Sequence, residues 1–444
     1  MPPPPSDRGR PVPQSRLGRL ARFGSVAAGV GTNVIINGAG RLARRERVSL
    51  SDLLLTPGNV SRLTDELARL RGAAMKLGQL VSMDGGGVLS DELATIMARL
   101  RSDAEPMPEH QLRAVLAANW GEGWEERLTH FGFQPVAAAS IGQVHRATTH
   151  DGRALAIKVQ YPGVRESIGS DVDNVALLLR LSGLVPPAID VAPLLAEAKR
   201  QLREEADYRR EARYLQEFGR LLAGNGDFLV PEPVPEFSNE NVLAMSFAEG
   251  HPIEALESAP QDVRDRVIAR LAGLALRELF EFRLMQTDPN FANYRFQPET
   301  GRIVLLDFGA TRAFAPELSA RFRTLAQAGL EGDRDAVREA MFALKILEPG
   351  HPRIFQAVVL LMFETAFKAL TEREVFDFGA SDLLETLRGQ AETLEDHRDA
   401  LRAPPVDVLF LQRKLGGRFL LATRLRARVA VGELLRAAVR RYPA

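Results

Sequence analysis

The feature that most limits what this chain can become is a change of hydrophobic period along it. From Ser61 to Ser82 the apolar residues Leu63, Leu67, Leu70, Ala74, Leu77 and Val81 recur at 4-3-4-3-4 spacing, which predicts an amphipathic helix. Gly85–Gly87 end that helix, and a second one is expected from Ser90 to about Arg101. From about Val136 to Val159 the pattern reads as strands, with Asp151-Gly152 as a hairpin turn. A long charged helix is expected from about Ala192 to Arg220, followed by short strand-like runs near Phe228–Pro233 and Val242–Phe247. After Glu249-Gly250 the pattern is helical almost to the end, interrupted by the strand-like Arg302–Asp307. The chain is therefore expected to be α+β, with a small β-rich lobe flanked by helices and a larger helical lobe.

Composition closes off several chemistries. The 444 residues are 45% apolar and 26% charged, enough for two to three domains with their own cores and too apolar for a disordered chain. There is no cysteine, which excludes disulfides, thiolate catalysis, iron–sulfur clusters and cysteine zinc sites. The seven histidines form no HExxH or HxxxH pair, so any metal is expected on Asp and Asn oxygens. No run of 18 apolar residues occurs, so no bilayer-spanning helix is expected. The proline-rich start lacks the apolar core of a secretory signal, and Gly24–Gly40 is uncharged but glycine-rich. The 57 basic and 57 acidic side chains cancel overall, yet residues 1–49 carry nine arginines against Asp7 and Glu46. Residues 413–444 carry eight arginines and Lys414 against Glu433, leaving the middle acidic. Two basic ends suggest an anionic membrane surface; no aromatic platform or finger accompanies them, so nucleic acid is not expected. The same charge is also compatible with solvated tails.

Four pieces then arrive in the order that ATP phosphotransfer of the protein-kinase type needs. The first is the turn Ala137-Ala138-Ala139-Ser140-Ile141-Gly142-Gln143-Val144, between two strand-like segments. The second is Ala156-Ile157-Lys158-Val159, whose ammonium can reach the α- and β-phosphates of a nucleotide. The third is Glu211 on the following helix, able to pair with Lys158. The fourth is Asp288-Pro289-Asn290-Phe291-Ala292-Asn293 followed by Leu306-Asp307-Phe308-Gly309. Asp307 and Asn293 offer hard oxygens to Mg²⁺, and Asp288 would face the attacking group. Ala315-Pro316-Glu317 begins only six residues after Gly309, which leaves no room for an activation segment, and Thr287 stands where a kinase has the HRD arginine. A conventional protein kinase is therefore not expected. Two further runs draw the eye: Lys76-Leu77-Gly78-Gln79, with glycine inside a helix, and Glu204–Glu211, where Glu204, Asp207 and Glu211 would share a helical stripe. His145 is read as a strand residue, Trp120 and Trp124 as a packed helix end, and Arg413–Arg428 as either an interfacial amphipathic helix or a last helix packed on the large lobe with its basic face in water.

With these residues in view, the chain resembles the UbiB family of atypical kinases, also called the ADCK family. Lys76–Gln79 is similar to its KxGQ motif, Ala137–Val144 to its Ala-rich loop, and Glu205–Asp207 to its ExD motif. Thr287-Asp288-Pro289-Asn290 is nearer the eukaryotic coenzyme Q type than the bacterial HADxHPGN form, and the likeness covers about residues 55–444. The resemblance implies a protein-kinase-like two-lobed fold with a family-specific helical N-terminal extension, divided as a basic segment 1–50, KxGQ helices 51–130, a β-rich lobe 131–250 and a helical lobe 251–444. It implies that Lys76 pairs with Glu205 and Lys158 with Glu211, and that the Ala-rich loop suppresses ordinary kinase output. It implies ATP and Mg²⁺ as cofactors, with Ala137, Ala138, Ala139, Ser140, Lys158 and Glu211 at the nucleotide, Asn293 and Asp307 on the metal, and Asp288, Lys158, Lys76 and Glu205 in the chemistry. The activity implied is an ATPase or small-molecule kinase supporting ubiquinone biosynthesis at a membrane stimulated by anionic lipid. Ubiquinone-biosynthesis enzymes or lipid precursors would be its partners, and a homodimer is left open. The bacterial carboxy-terminal membrane hairpin is missing, so association would be peripheral: cytoplasmic in a bacterium, on the matrix side in a mitochondrion. A nucleotide-gated scaffold or lipid-intermediate chaperone that needs the same pocket stays open beside it.

Overall fold

The structure is a computed structural model and describes residues 106–181, 192–394 and 404–442. The helices expected over 61–82 and 90–101, with Lys76, Gly78 and Gln79, and the basic first segment lie outside the described residues. The chain divides into two compact units, one running to Arg213 and taking in 232–247, the other formed by 214–231 and the chain from Ala248 onward.

In the first unit, β1 (Leu128–Phe131), β3 (Gly142–Thr149), β4 (Ala154–Gln160) and β6 (Val242–Ser246) form one antiparallel sheet in that order, and β2 (Ala137–Ala138) pairs with β3. The expected turn closes β3 onto β4: Gly152 sits at φ +83°, a conformation a side chain would resist, and Thr149 N–H donates to the Arg153 carbonyl. β4 is central and buried along most of its length, as its run of Leu155, Ile157 and Val159 suggests. One sheet face packs on α1 (Glu109–Trp120) through Leu112, Leu116, Trp124, Phe131 and Ile157. Trp124 is buried edge-on against Phe131 and tilted against Trp120, the packed helix end that was expected. Two helices, α2 (Val164–Leu181) and α3 (Ala192–Glu205), follow β4 in the chain.

The single helix expected over 192–220 is two. α3 stops at Glu205 and α4 (Tyr208–Leu221) restarts after Ala206-Asp207. The break is stabilised locally: the Asp207 carboxylate accepts from Arg210 N–H, an N-cap, and the freed Ala206 carbonyl accepts from Gln160 Nε2 and Arg165 Nη2, both at 2.7 Å. The shared stripe of Glu204, Asp207 and Glu211 is therefore lost, and each acid has its own surroundings.

In the second unit, the stretch after residue 250 holds more strand than expected. β5 (Phe228–Leu229), β10 (Arg302–Leu305), β9 (Tyr294–Gln297) and β7 (His251–Pro252) make one sheet, with β5 and β10 parallel. β8 (Leu284–Gln286) pairs antiparallel with β11 (Thr311–Ala313), and β12 (Phe376–Asp377) with β13 (Arg428–Val429). These strands are two to four residues long, too short to show a period. The helices are α5 (Gln261–Arg277), which continues into a π-helical turn at Glu278–Phe282, α6 (Pro316–Glu331), α7 (Arg334–Ala343), α8 (Arg353–Thr371), α9 (Leu383–Glu392), α10 (Val406–Arg424) and α11 (Val431–Arg441). Met285, Phe314, Phe322, Leu325, Met341, Phe355 and Val408 are among the residues of their common core. Against the expectation of no candidate span, α8 is long and apolar enough to cross a membrane, with 22% of its most apolar window buried; core helices of soluble proteins meet the same test.

Candidate active site

The first unit holds the lysine end. Strand β4 points Lys158 to the face where α4 runs, and its ammonium contacts both carboxylate oxygens of Glu211 at 2.8 Å, with the pair almost wholly buried. The Lys158 ammonium also lies 5.1 Å from the centre of the Tyr208 ring, the first residue of α4. The Ala-rich turn is fixed at its exit by Gly142: a Cβ there would lie 2.3 Å from the Val159 carbonyl oxygen and 2.9 Å from the Tyr208 hydroxyl, so only glycine lets β3 approach this closely. Ala137 and Ala138 are exposed, and Ser140 donates to Glu205 Oε2 at 3.2 Å, tying the turn to the end of α3. Of the Glu204–Glu211 run, Glu205 and Glu211 thus reach the Ala-rich turn and the lysine, while Glu204 is bonded by Arg200 and Arg210. Lys76, expected beside Glu205, lies outside the described residues.

His145 is a strand residue as expected. It is fully buried, stacked on Phe131, with Nδ1 2.7 Å from the Gly132 carbonyl and Nε2 2.8 Å from the Gln143 amide. Gln143 in turn accepts from Met107 N–H. Burial, offset in part by the bond to Gly132, holds the imidazole below its ordinary pKa.

The second unit holds the acidic end, and strand register assembles it. In the β9–β10 hairpin Tyr294 faces Leu305, so Asn293 and Leu306 are the next pair out, joined by a 3.0 Å bond from Leu306 N–H to the Asn293 carbonyl. Asn293 therefore lies one step from Asp307 in the register. In the β8–β11 ladder Gln286 faces Thr311, and both N–H and hydroxyl of Thr287 donate to the Ala310 carbonyl, which ties the loop carrying Asp288 to the residues after Asp307. The Asn293 amide donates to Asp288 Oδ2 at 3.1 Å, leaving its own oxygen as an acceptor. Asp307 Oδ1 accepts from Gly309 N–H, and the Phe308 ring is buried 4.7 Å from the Phe218 ring. Only two residues separate Pro316, which opens α6, from the end of β11, so the connection from Gly309 is a short strand, and among the described residues no activation segment follows it.

Helix α10 contributes residues the sequence reading did not place here. Arg413 Nη2 lies 3.2 Å from Asp288 Oδ1. Lys414, 1% exposed, donates to the Gln286 carbonyl at 2.5 Å and to Gln286 Oε1 at 2.9 Å, and pairs with the buried Glu278 at 3.2 Å. A Cβ on Gly417 would lie 2.2 Å from the Pro289 Cβ. One signal was available: Gly416-Gly417 inside an otherwise helical run costs about 1 kcal/mol per glycine against alanine and marks a close approach. Neither reading of Arg413–Arg428 matches in full: the helix packs within this unit, but a further helix, α11, follows it, and Arg413 and Lys414 are buried on acidic partners where a packed helix was expected to keep its basic face in water. Arg424 and Arg428 also pair, with Glu257 and Asp377, so much of the positive charge of 413–444 is spent within this unit.

The buried Lys–Glu pair of the first unit, and the DxxxxN loop and DFG strand end of the second, are features of the atypical protein-kinase-like class, with no activation segment among the described residues. The profile of the ABC1 atypical kinase-like domain matches residues 99–341, and the chain belongs to this family. It is 38% identical over 98% of its length to the mitochondrial atypical kinase COQ8B of Rattus norvegicus, covering 82% of that protein. It is 36% identical over 96% of its length to the mitochondrial atypical kinase COQ8 of Saccharomyces cerevisiae, covering 85% of it. Among solved structures, that of Rv3197 from Mycobacterium tuberculosis in complex with erythromycin is similar, with a TM-score of 0.60 and 26% identity over 83% of this chain and 92% of that one.

Proposed function

We propose that the chain binds MgATP and either hydrolyses it or passes its γ-phosphoryl group to a small lipid-like acceptor, in support of ubiquinone biosynthesis at a membrane surface. The observation that carries the chemistry is the hairpin register that sets Asn293 one step from Asp307 while the Asn293 amide holds Asp288. The donor set fits Mg²⁺. It consists of one carboxylate and one amide oxygen on adjoining loop ends, and among the described residues no cluster of three His, Asp or Glu could cage a metal. Mg²⁺ is usually held in this way, by one or two protein oxygens with phosphate and water completing the octahedron. Bound there, it would neutralise charge on the phosphates.

The chain's own residues supply positioning. Lys158, held extended by Glu211, contacts phosphate oxygens. Asp288 would orient the attacking hydroxyl or water and receive its proton as that oxygen bonds to the γ-phosphorus and the bond from the γ-phosphorus to the β–γ bridging oxygen breaks, with ADP as the leaving group. Ala137, Ala138 and Ala139 cover the nucleotide with less backbone freedom than glycines would, which limits how closely the turn folds over the phosphates. Glu205, which the family resemblance pairs with Lys76, is tied to the Ala-rich turn through Ser140. The relatives named as mitochondrial support a mitochondrial location in a eukaryote, where the proposed side is the matrix; in a bacterium the same protein would work at the cytoplasmic face of the inner membrane. Anionic lipid is the expected activator, recruited through residues 1–49 more than through the internally paired carboxy-terminal arginines.

The test is steady-state hydrolysis of ATP with Mg²⁺ by the wild-type chain and Asp307→Asn, each with and without vesicles containing anionic phospholipid. Wild-type turnover that rises with vesicles, falls back as salt screens the surface, and disappears in Asp307→Asn is the expected result. Full turnover in Asp307→Asn would remove the metal assignment, and equal stimulation by neutral vesicles at high salt would remove the electrostatic one.

A further inference from the structure

We propose that Lys414 is a positioning residue for phosphotransfer, acting with Glu278 and Arg418 to hold both ends of the loop that carries Asp288 and Asn293. This rests on the reading of that loop as the reacting end. A kinase loop of this kind ordinarily has an arginine before its aspartate; here Thr287 fills that place, and its N–H and hydroxyl both donate to the Ala310 carbonyl. Its other neighbour, Gln286, is held from outside. Lys414 donates to the Gln286 carbonyl and side-chain oxygen, and Gln286 N–H donates to Glu278 Oε1 at 3.3 Å. At the far end, Tyr294 follows Asn293 directly. Its hydroxyl donates to Gln286 Oε1 at 3.0 Å and accepts from Arg418 Nη2 at 2.9 Å, and the Arg418 guanidinium lies 4.2 Å from the ring centre. The two ends of the loop thus share one buried polar network, and the two functional side chains hang between them.

Helix geometry explains why one element can do this. Arg413, Lys414, Gly417 and Arg418 occupy i, i+1, i+4 and i+5, a single face of α10, and Gly417 removes the side chain that would collide with Pro289. Gln286, Lys414, Arg418 and Glu278 also line a cavity of about 10 Å³ that includes Asn293 and Asp307 in its wall, and Gln286 Nε2 with Arg418 Nε and Nη1 are buried around it without a hydrogen-bond partner among the described residues. Stability alone does not account for a charged pair here, because a buried ion pair is often no better than an apolar pair of the same volume. What such a pair supplies is direction: Lys414 has donors aimed at one carbonyl and one amide oxygen of the same residue.

The test compares MgATP kinetics of Lys414→Arg, Arg418→Gln and the double variant Glu278→Gln/Lys414→Met, which removes both members of the buried ion pair together, with Asp288→Asn in parallel. Active-site titration with a tight nucleotide analogue sets the folded, competent fraction. Per competent site, the double variant is expected to lose about 10- to 100-fold in kcat, the scale on which residues behind first ligands act, with KM for MgATP near wild type. Lys414→Arg should recover part of the loss. Arg418→Gln, which keeps Lys414, should show a smaller drop of the same kind and serves if the double variant does not fold. A purely structural role would lower the competent fraction and leave kcat per site unchanged, and that outcome would overturn the assignment of Lys414. Full activity in Asp288→Asn would instead remove the reading of the loop itself.

Discussion

At the scale of single residues, the buried Lys158–Glu211 pair carries a stability penalty if broken, beside the role proposed for it at the nucleotide. Truncating one partner leaves an uncompensated charge in a site that is almost fully excluded from water. Lys158→Met is therefore expected to destabilise the protein by about 3–5 kcal/mol, and Lys158→Met/Glu211→Gln to recover much of it while remaining inactive. Chemical denaturation of the three proteins measures this; equal stability of single and double variants would show that the pair is not coupled. His145 gives a pH dependence. Its folded pKa is depressed by burial, so the unfolded chain takes up the proton first as the pH falls. The stability it supports is complete above the unfolded value of about 6.5 and is lost as the pH drops from there toward the folded value. Melting temperatures between pH 7.5 and 5 should fall less steeply in His145→Gln than in the wild type, although the variant is less stable throughout. Parallel curves would mean that His145 titrates as freely in the folded protein as in the unfolded one.

At the scale of elements, glycines set the closest approaches. Gly142→Ala is expected to cost about 1–3 kcal/mol, because its Cβ would meet the Val159 carbonyl, which the β3–β4 ladder cannot move aside. Thermal unfolding together with ATP turnover checks it: both should fall, and an unchanged melting temperature would contradict the packing described. This level was also where the sequence was most unevenly legible. The β3–β4 hairpin showed itself because strand alternation was bounded by Asp151-Gly152, a turn with its own chemistry. The break at Ala206-Asp207 did not, since helical propensity and charge pattern run through it and only tertiary bonds to the Ala206 carbonyl from Gln160 and Arg165 reveal it. Before Asp307 the strand-like run at Arg302 was legible and is β10, but β8, β9 and β11 were not, for a different reason. Three or four residues carry no measurable period, and their pairing is set by partners far along the chain.

At the scale of the whole molecule, the order of the phosphotransfer pieces was readable because each is tied to a fixed local spacing, Asp288 to Asn293 above all. The contribution of α10 was not, because Arg413 and Lys414 reach residues more than a hundred positions earlier, and a basic run near a chain end reads as a surface tail until its partners are seen. Those partners change the meaning of the charge: cations that looked available for a membrane instead hold the acidic loop. The central claim is that Asp307 and Asn293 hold the metal that accompanies the nucleotide. The most direct test is the affinity of the chain for ATP, measured calorimetrically with Mg²⁺ and with the metal chelated, in the wild type and in Asp307→Asn. Tighter ATP binding with Mg²⁺ in the wild type, and no gain from Mg²⁺ in the variant, is the predicted result. The same gain in both proteins would contradict the account.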